Sequence, residues 1–242
     1  MTSSDRNELL KRLEPFVHRL CFYLPKPAVE DAYDYLCSLT VRPSAARTLC
    51  PRRCPDLEPH RPVSGYGSRK ARLVILGEAP GEAEDLVGYP FVGPSGLVLT
   101  AALRSLGVDR EQVLITNVVR CRPPGNREPH PSEQKVCTEH LKNELTDLPQ
   151  GLVVLTLGNV PLKFMRQSGT PGVTSCRGIL LDSFRWQQSL VSAVIPTYHP
   201  SYVLRRMNRE TIDLFVRDIR EALGLALALR WPAFSSHFHE SS

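Results

Sequence analysis

The chain has 242 residues, of which 42% are hydrophobic, and this supports one sizeable core with appended ends. Its formal net charge of +5 favours a polyanionic partner only weakly, since many solvated surfaces reach such values. The N-terminal residues mix charges with apolar side chains and contain no signal-peptide core. No segment approaches the roughly 18 apolar residues of a membrane span. We therefore expect a soluble, intracellular protein.

The N-terminal region has the patterns of two helices, near residues 7–24 and 28–39, followed by a Pro/Arg-rich link over 42–62. At the other end, residues 231–242 are expected to form a loosely held tail. The chain is accordingly divided into an N-terminal helical extension, 1–45, a main domain, 46–226, and a C-terminal tail, 227–242.

Four short apolar runs in the main domain predict strands that are buried on both faces, as in parallel sheets. They cover residues 73–76, 113–116, 152–155 and 193–195. Helical patterns lie between and after them, at 95–106, 132–146, 161–165 and from near Asn208 to Gly224. Ser132 is expected to be the N-cap of the second of these helices.

This alternation of strands and helices predicts an α/β layered fold with right-handed crossovers. In such folds, ligands bind beyond the carboxyl ends of the strands. We therefore expect the functional residues in the segments that follow the four strands.

Seven cysteines in a chain without an export signal indicate reduced thiols or metal ligands rather than disulfides. Four of them suggest a metal or iron-sulfur cluster that pins a loop against the scaffold. These four are Cys50, Cys54, Cys121 and Cys137. The others, Cys21, Cys37 and Cys176, are expected to be buried small hydrophobic residues.

The first strand runs into the sequence GEAPG at 77–81, where glycines permit a sharp turn and backbone N–H groups can face a ligand. This loop has neither the spacing of a dinucleotide-binding loop nor the Gly-Lys-Ser/Thr of a phosphate loop, so nucleoside triphosphate binding is disfavoured. An ordinary turn is the alternative. A second loop, GYPFVG at 88–93, holds Phe91, which is either a core residue or a stacking platform for a flat ring.

The second strand ends near Asn117, and a basic, proline-rich turn follows it. An asparagine amide has both donors and an acceptor, so it can read the edge of a nucleobase. The arginines of the turn, Arg120, Arg122 and Arg127, can hold phosphates. Taken singly, each of these residues is equally well a strand-end cap or a solvated charge.

The sequence HPS at 199–201 follows the fourth strand. A histidine at a carboxyl strand end can donate a hydrogen bond to a developing anion, although a lone histidine is more often structural. Ser201 can contact a phosphate, and Arg205 and Arg206 can reinforce that contact.

Together these motifs resemble the family-four uracil-DNA glycosylases, the iron-sulfur branch of the uracil-DNA glycosylase superfamily, over about residues 48–224. The resemblance is carried by GEAPG at 77–81 with Glu84 and Asp85, PFVG at 90–93, the stretch 116–127, LGN at 157–159 and HPS at 199–201. It implies a three-layer α/β/α sandwich around a central four-stranded parallel sheet. The implied activity is hydrolysis of the N-glycosidic bond that joins uracil to DNA.

The resemblance also implies a 4Fe-4S cluster on Cys50, Cys54, Cys121 and Cys137. The first pair has the spacing C-x3-C in this chain, whereas the family usually has C-x2-C. One extra residue can be absorbed in a loop, so the four cysteines are retained as the expected ligands.

The implied substrate contacts come from three loops. Phe91 stacks on the extruded uracil, Asn117 reads its O4 and N3–H edge, and the backbone from Gly77 to Ala79 meets its O2. Extrusion costs a few kcal/mol, which phosphate contacts offset. The expected phosphate contacts are Arg120, Arg122, Arg127, Ser201 and Arg205.

The implied chemistry requires a stabilised leaving group and an activated water. His199 donates to O2 of the departing uracil anion. The best-known branch of the superfamily has an aspartate where this chain has Ala79. We therefore expect Glu78 to activate the water, with Asp85 as the second candidate.

Two other functions stay open. A uracil-binding protein of the same superfamily would form a covalent DNA adduct through a histidine such as His130, but the basic insertion associated with that branch is absent. A silent DNA-binding or redox-sensing protein would use the same fold without needing Glu78, Phe91, Asn117 and His199 together.

The partner implied by the resemblance is uracil-containing DNA, single- or double-stranded. We expect a monomer in the prokaryotic cytoplasm, without a membrane. Thymine opposite guanine should stay uncut, because Tyr89 and Phe91 should crowd the thymine methyl group.

Overall fold

A twisted sheet forms the centre of the protein, for which we have a computed structural model describing residues 3–39, 62–166, 171–178, 184–186 and 189–229. Within these ranges the strands are β1 (Tyr66–Gly67), β2 (Leu73–Gly77), β3 (Leu114–Asn117), β4 (Leu152–Leu157), β5 (Phe184–Trp186) and β6 (Ser189–Thr197). Their spatial order is β1-β3-β2-β4-β6-β5.

The four inner strands, β3, β2, β4 and β6, run parallel, which confirms the predicted four-stranded parallel sheet. Every residue of β2, β3 and β4 is buried, as expected for strands covered on both faces. β1 and β5 were not predicted, and they add antiparallel edges to the sheet. With only two and three residues, they are too short to show a period in the sequence.

Helices cover both faces of the sheet. They are α1 (Ser3–Leu20), α2 (Lys26–Ser38), α3 (Glu82–Val87), α4 (Pro94–Ser105), α5 (Pro131–Thr146), α6 (Asn159–Arg166), α7 (Val173–Cys176), α8 (Pro200–Arg206) and α9 (Arg209–Ala228). Short 3-10 turns occur at Arg110–Gln112 and Pro124–Asn126.

The layers follow from the alternation of side chains along β2. Ile75 packs into a hydrophobic cluster with residues of α1, α2, α4 and α9, whereas Val74 packs into a second cluster with residues of α5 and α6. The two clusters lie on opposite faces because successive strand residues point in opposite directions. This arrangement confirms the three-layer α/β/α sandwich.

Two expected helix ends are wrong. Ser132 is not an N-cap: α5 begins at Pro131, and the Glu133 carboxylate accepts the backbone N–H of His130 at 2.7 Å. Gly224 does not end the last helix, because the apolar face of α9 continues to the buried Ala226.

The N-terminal helices are part of the same core, since buried residues of α1 and α2 share a cluster with the sheet. Arg104 of α4 binds Asp31 of α2 at 2.7 Å, and Arg12 of α1 binds Glu82 at the start of α3 at 2.5 Å. The division at 45 and 226 stays a prediction. Most of the 42–62 link and the 231–242 tail lie outside the described residues.

Among the described residues, no helix has an apolar stretch long enough to cross a bilayer.

Candidate active site

A cleft of about 720 Å³ lies at the carboxyl ends of the parallel strands, where the α/β architecture predicts a ligand site. The loops after β2, β3, β4 and β6 all contribute to its wall. Eight of the predicted site residues line it: Glu78, Ala79, Phe91, Asn117, Arg127, His199, Ser201 and Arg205. Residues that are scattered over more than 120 positions of the chain therefore meet at one edge of the sheet.

The base of the cleft is built around Gly77, the last residue of β2. A Cβ atom at this position would overlap both Oδ1 of Asn117 and the ring of Phe91. These two side chains therefore approach the same backbone atom from two different loops. Gly77 contributes by having no side chain, which leaves room for both groups. The contact of its backbone with uracil O2, implied by the family resemblance, stays a prediction.

Asn117 lies at the end of β3 with 3% of its surface exposed. Its Oδ1 is buried and accepts no hydrogen bond from the described residues. Leaving a buried polar atom without a partner costs about 1–3 kcal/mol, so such an atom in a cleft indicates a partner on a ligand.

Phe91 is 5% exposed, and its ring centroid lies 6.0 Å from that of His199. Its backbone has φ of 52°, in the left-handed region that a bulky residue rarely adopts. Holding this conformation costs about 1–3 kcal/mol, which surrounding contacts must offset.

Two buried charged residues supply those contacts. The guanidinium of Arg110, 1% exposed, donates to the carbonyl of Phe91 at 2.8 Å and to that of Pro90 at 2.5 Å. The Glu84 carboxylate accepts the N–H groups of Val92 and Gly93 at 2.8 and 2.9 Å. Together they clamp the loop that presents the Phe91 ring.

His199 has one ring nitrogen committed within the protein. Its Nδ1 accepts the backbone N–H of Ser201 at 3.1 Å, which makes His199 the N-cap of α8. The Ser201 hydroxyl lies 2.7 Å from the same nitrogen. A neutral ring bonded in this way carries its proton on Nε2, as a donor available to a ligand.

The environment keeps that ring neutral. Burial, assisted by the positive charge of Arg205, lowers the pKa of His199 to about 4. Gly158, with φ of +97°, lets the β4 loop pass close to the His199 side chain. His199 is thus a neutral donor throughout the physiological pH range.

Among the described residues, three carboxylates line the cleft: Glu78, Glu84 and Glu128. Glu84 is bound to loop backbone, which leaves Glu78 as the candidate for water activation. Burial, followed by the negative charge of Glu128, raises the pKa of Glu78 to about 7. A carboxyl group with such a pKa can exchange a proton at neutral pH. Asp85, the second candidate for water activation, lies in α3 and is not among the described residues that line the cleft.

The predicted phosphate contacts divide into two groups. Arg120 was expected to contact a phosphate, but only 9% of its surface is exposed. Its guanidinium binds Glu144 at 2.6 Å and donates to Ser64 and to the carbonyl of His140. This guanidinium stabilises the fold and is not presented to a phosphate. Arg127 is likewise held by the Glu133 carboxylate through two bonds of 2.9 and 2.6 Å, although it lines the cleft.

The other predicted phosphate contacts, Arg122, Arg205 and Ser201, are more accessible than Arg120. Arg122 donates to the exposed Asn126 at 2.8 Å, outside the cleft lining. Arg205 is exposed on the cleft wall and donates to the Ser201 hydroxyl at 3.3 Å. Ser201 itself is bound to His199, which gives it a partner within the protein.

Tyr89 is not in the position expected for crowding a thymine methyl. Its ring packs edge-on against Tyr66 at 5.2 Å, outside the cleft lining. His130, the residue considered for a covalent adduct, is exposed before α5 and does not line the cleft among the described residues.

Of the four expected cluster ligands, the structure describes Cys121, which is partly exposed, and Cys137, which is buried in α5. Cys50 and Cys54 lie outside the described residues. Among the described residues, no group of three or more metal-binding side chains is found. Of the remaining cysteines, Cys176 is buried as predicted, but Cys21 and Cys37 are partly exposed.

Cys121 and Cys137 offer thiols on two separate segments, which is the donor type that an iron-sulfur cluster requires. Arg120 donates to the carbonyl of His140, one turn after Cys137 on α5. The carbonyl of Arg120 accepts the N–H of Val63 at 2.7 Å, nine residues after Cys54. Arg120, the residue before Cys121, is therefore tied through its side chain to the helix of Cys137 and through its carbonyl to Val63.

Several residues of the site are not predicted from the sequence. Arg110 has no motif around it, because its partners are 10 to 20 residues away and become neighbours only through folding. The sequence motif that contains Glu84 does not reveal its bonds to Val92 and Gly93, although its place three residues after Gly81 is a helix-capping signal. Tyr198 and Tyr202 also line the cleft and were overlooked beside the HPS motif.

A parallel α/β sheet with an asparagine and a neutral histidine at two strand ends, facing one cleft with a phenylalanine ring, is the arrangement of a nucleobase-binding protein. The sequence model of the Uracil DNA glycosylase superfamily matches residues 64–222. The chain belongs to this superfamily and, within it, to the type-4 uracil-DNA glycosylases.

The relatives match about two thirds of the chain. The type-4 uracil-DNA glycosylase of Thermotoga maritima is 41% identical over 160 residues, which cover 66% of this chain and 80% of that protein. The type-4 enzyme of Archaeoglobus fulgidus is 39% identical over 67% of this chain and 82% of its own. That of Sulfurisphaera tokodaii is 37% identical, covering 66% and 73%.

Proposed function

We propose that this protein excises uracil from DNA by hydrolysing the N-glycosidic bond and leaves an abasic site. The observation that carries the proposal is the placement of the Asn117 amide and the His199 Nε2–H on one cleft with the Phe91 ring. This set offers a stacking face, an edge reader and an anion stabiliser to a single flat base.

Recognition begins with extrusion of the base from the DNA stack, which costs a few kcal/mol. Stacking of uracil on Phe91 returns about 1–3 kcal/mol of that cost. The Asn117 Oδ1, which has no donor among the described residues, accepts the N3–H of uracil, and its amide N–H₂ group donates to O4. Cytosine presents the opposite pattern at these positions and is rejected.

Bond cleavage leaves negative charge on the uracil ring and positive charge on the sugar. His199 donates from Nε2 to O2, where the negative charge collects. A neutral donor suits this task because it keeps its proton on the protein while the hydrogen bond strengthens. The lowered pKa of about 4 ensures that the ring is neutral at the working pH.

Glu78 is proposed to orient the attacking water and to accept its proton as the oxocarbenium-like sugar is captured. Its carboxylate also stabilises the positive charge on the sugar. The raised pKa of about 7 places its ionisation within the neutral range. Asp85 is the weaker candidate, since it does not line the cleft among the described residues.

Cys50, Cys54, Cys121 and Cys137 are proposed to hold a 4Fe-4S cluster, which cross-links separate segments of the chain when bound. This cross-link would fix the strand end of Asn117, four residues before Cys121, against α5. The DNA backbone is proposed to contact Arg205 and Arg122 at the cleft rim. A monomeric state and a cytoplasmic location stay predictions.

The decisive experiment measures strand breaks after alkali in labelled DNA containing U:G, U:A, single-stranded U or T:G. We expect cleavage of the three uracil substrates and none of T:G. Uracil DNA left intact by cluster-loaded protein would refute excision, and a shifted band persisting on a denaturing gel would instead indicate a covalent adduct.

A further inference from the structure

The cleft is larger than one base requires. A cavity of about 150 Å³ holds a single six-membered ring, whereas this cleft measures about 720 Å³. Besides His199, the residues that line it include Tyr198, Tyr202, Arg205 and Thr174 of α7. None of these four residues takes part in reading the uracil edge as proposed above.

Tyr198 and Tyr202 form a stacked pair, which we call the tyrosine shelf. Their ring centroids are 4.8 Å apart and their planes are tilted by 31°. The Tyr202 N–H donates to the carbonyl of His199 at 2.8 Å, so the shelf is attached to the residue that contacts the leaving group. A ligand on the shelf would therefore be adjacent to the extruded uracil.

The inner face of the shelf is rigid. Arg177 lies over the Tyr198 ring at 5.6 Å, and its guanidinium is bound by the fully buried carboxylate of Asp218. Asp218 also accepts the Thr197 hydroxyl at 2.7 Å, just before Tyr198. Arg177, which is held by Asp218, thus fixes the Tyr198 ring, and this ring packs against the ring of Tyr202.

The outer face can open. Arg206, which is exposed just outside the cleft lining, lies over the Tyr202 ring at 5.6 Å, longer than the stacking contact of about 3.5–4.0 Å. A flat ring inserted between them needs about twice that contact distance, so Arg206 must move outward by only about 2 Å. An exposed arginine side chain does this by changing rotamer.

We propose that the tyrosine shelf binds the nucleobase next to the uracil on the same strand, stacked between Tyr202 and Arg206. The bound species is a single-stranded DNA segment, with Arg205 beside its phosphate. Aromatic stacking accepts any base, so the site would add affinity without restricting sequence. The inference rests on the proposed uracil excision and identifies a second base contact for it.

The test uses single-stranded oligonucleotides of one length in which the base on the 3′ or the 5′ side of uracil is replaced by a tetrahydrofuran abasic analogue. For the wild type, we expect one of the two replacements to raise KM about tenfold with little change in kcat. Tyr202→Leu should show the raised KM on the intact strand and no further rise on either abasic strand. Tyr202→Phe, which keeps the ring, should behave as wild type.

Phe22→Leu is the matched control, since Phe22 is an aromatic residue that is 76% exposed and lies outside the cleft. The proposal is overturned if neither abasic strand weakens binding to the wild type, or if Tyr202→Leu keeps the full abasic penalty. Fluorescence anisotropy with the same strands measures this stacking as Kd even without turnover. If no strand were excised but the abasic replacement still raised Kd, the proposed function would be refuted. The proposed stacking site on Tyr202 would then still be supported.

Discussion

The carbonyl oxygen of Phe91 accepts a 2.8 Å hydrogen bond from the buried guanidinium of Arg110. This contact stabilises the left-handed backbone of Phe91 and so sets the position of the stacking ring. Arg110→Met should leave the Pro90 and Phe91 carbonyls without donors, at about 1–3 kcal/mol each. We expect the free energy of unfolding in urea to fall by about 2–4 kcal/mol and KM for uracil DNA to rise.

Arg220→Met is the control, because Arg220 is exposed on α9 and the same change there should alter stability by less than about 0.5 kcal/mol. Equal effects of the two variants would contradict the role assigned to Arg110.

Asn117→Asp should weaken recognition of uracil. A carboxylate still accepts the N3–H, but it repels O4 because it has no donor. We expect kcat/KM for single-stranded uracil DNA to fall by about 10²–10³-fold. Asn143→Asp makes the same chemical change on the exposed side of α5 and should have wild-type kinetics.

The pH dependence of excision should report Glu78. The group acts as a base only when it is ionised, and its pKa is raised to about 7 by burial and by Glu128. The rate should therefore rise with pH through about 7 and then level off, with no further limb from His199, whose pKa is about 4. Glu78→Gln should lower kcat and remove this dependence, whereas Glu82→Gln, at an exposed position, should retain it.

The raised pKa of Glu78 also makes the free energy of unfolding depend on pH. A carboxyl whose folded pKa is raised binds its proton more tightly when folded, so its contribution is present at low pH and lost as pH rises through about 7. Glu78→Gln should therefore stabilise the protein at pH 8, by about 1–2 kcal/mol after allowing for solvent screening, and not at pH 4. Urea unfolding at the two pH values measures this difference.

His199→Ala should lower kcat by about 10²–10³-fold with little change in KM, because the lost hydrogen bond strengthens only as the uracil anion forms. Ser201→Ala should be much milder, since the Ser201 backbone N–H still holds Nδ1 at 3.1 Å. Single-turnover kinetics separates the chemical step from product release. Equal losses in the two variants would argue against a donor role for Nε2.

Arg205 and Arg120 should respond in opposite ways to loss of charge. Arg205→Gln should weaken DNA binding and reduce the slope of log Kd against log salt by about one, with stability unchanged. Arg120→Gln should destabilise folding by about 3 kcal/mol, because it removes the ion-pair partner of the buried Glu144 carboxylate. The salt dependence of the folded Arg120 variant should remain that of wild type.

The sequence by itself determined the architecture and the main residues of the cleft. Residues 73–76 and 152–155 are continuous apolar runs, which are typical of strands covered on both faces of a parallel sheet. Because parallel strands place their carboxyl ends on one edge, the sequence predicts that Glu78, Asn117 and His199 meet, and all three line the cleft.

The tertiary structure alone decided which charged side chains serve the fold and which face the ligand. Arg120 and Arg205 are equally basic in the sequence, yet Arg120 is bound to Glu144 on α5 and Arg205 is exposed on the cleft. The pKa values of Glu78 and His199 likewise depend on burial by distant segments. Desolvation and pairing arise between residues that are far apart along the chain, so local sequence patterns do not contain them.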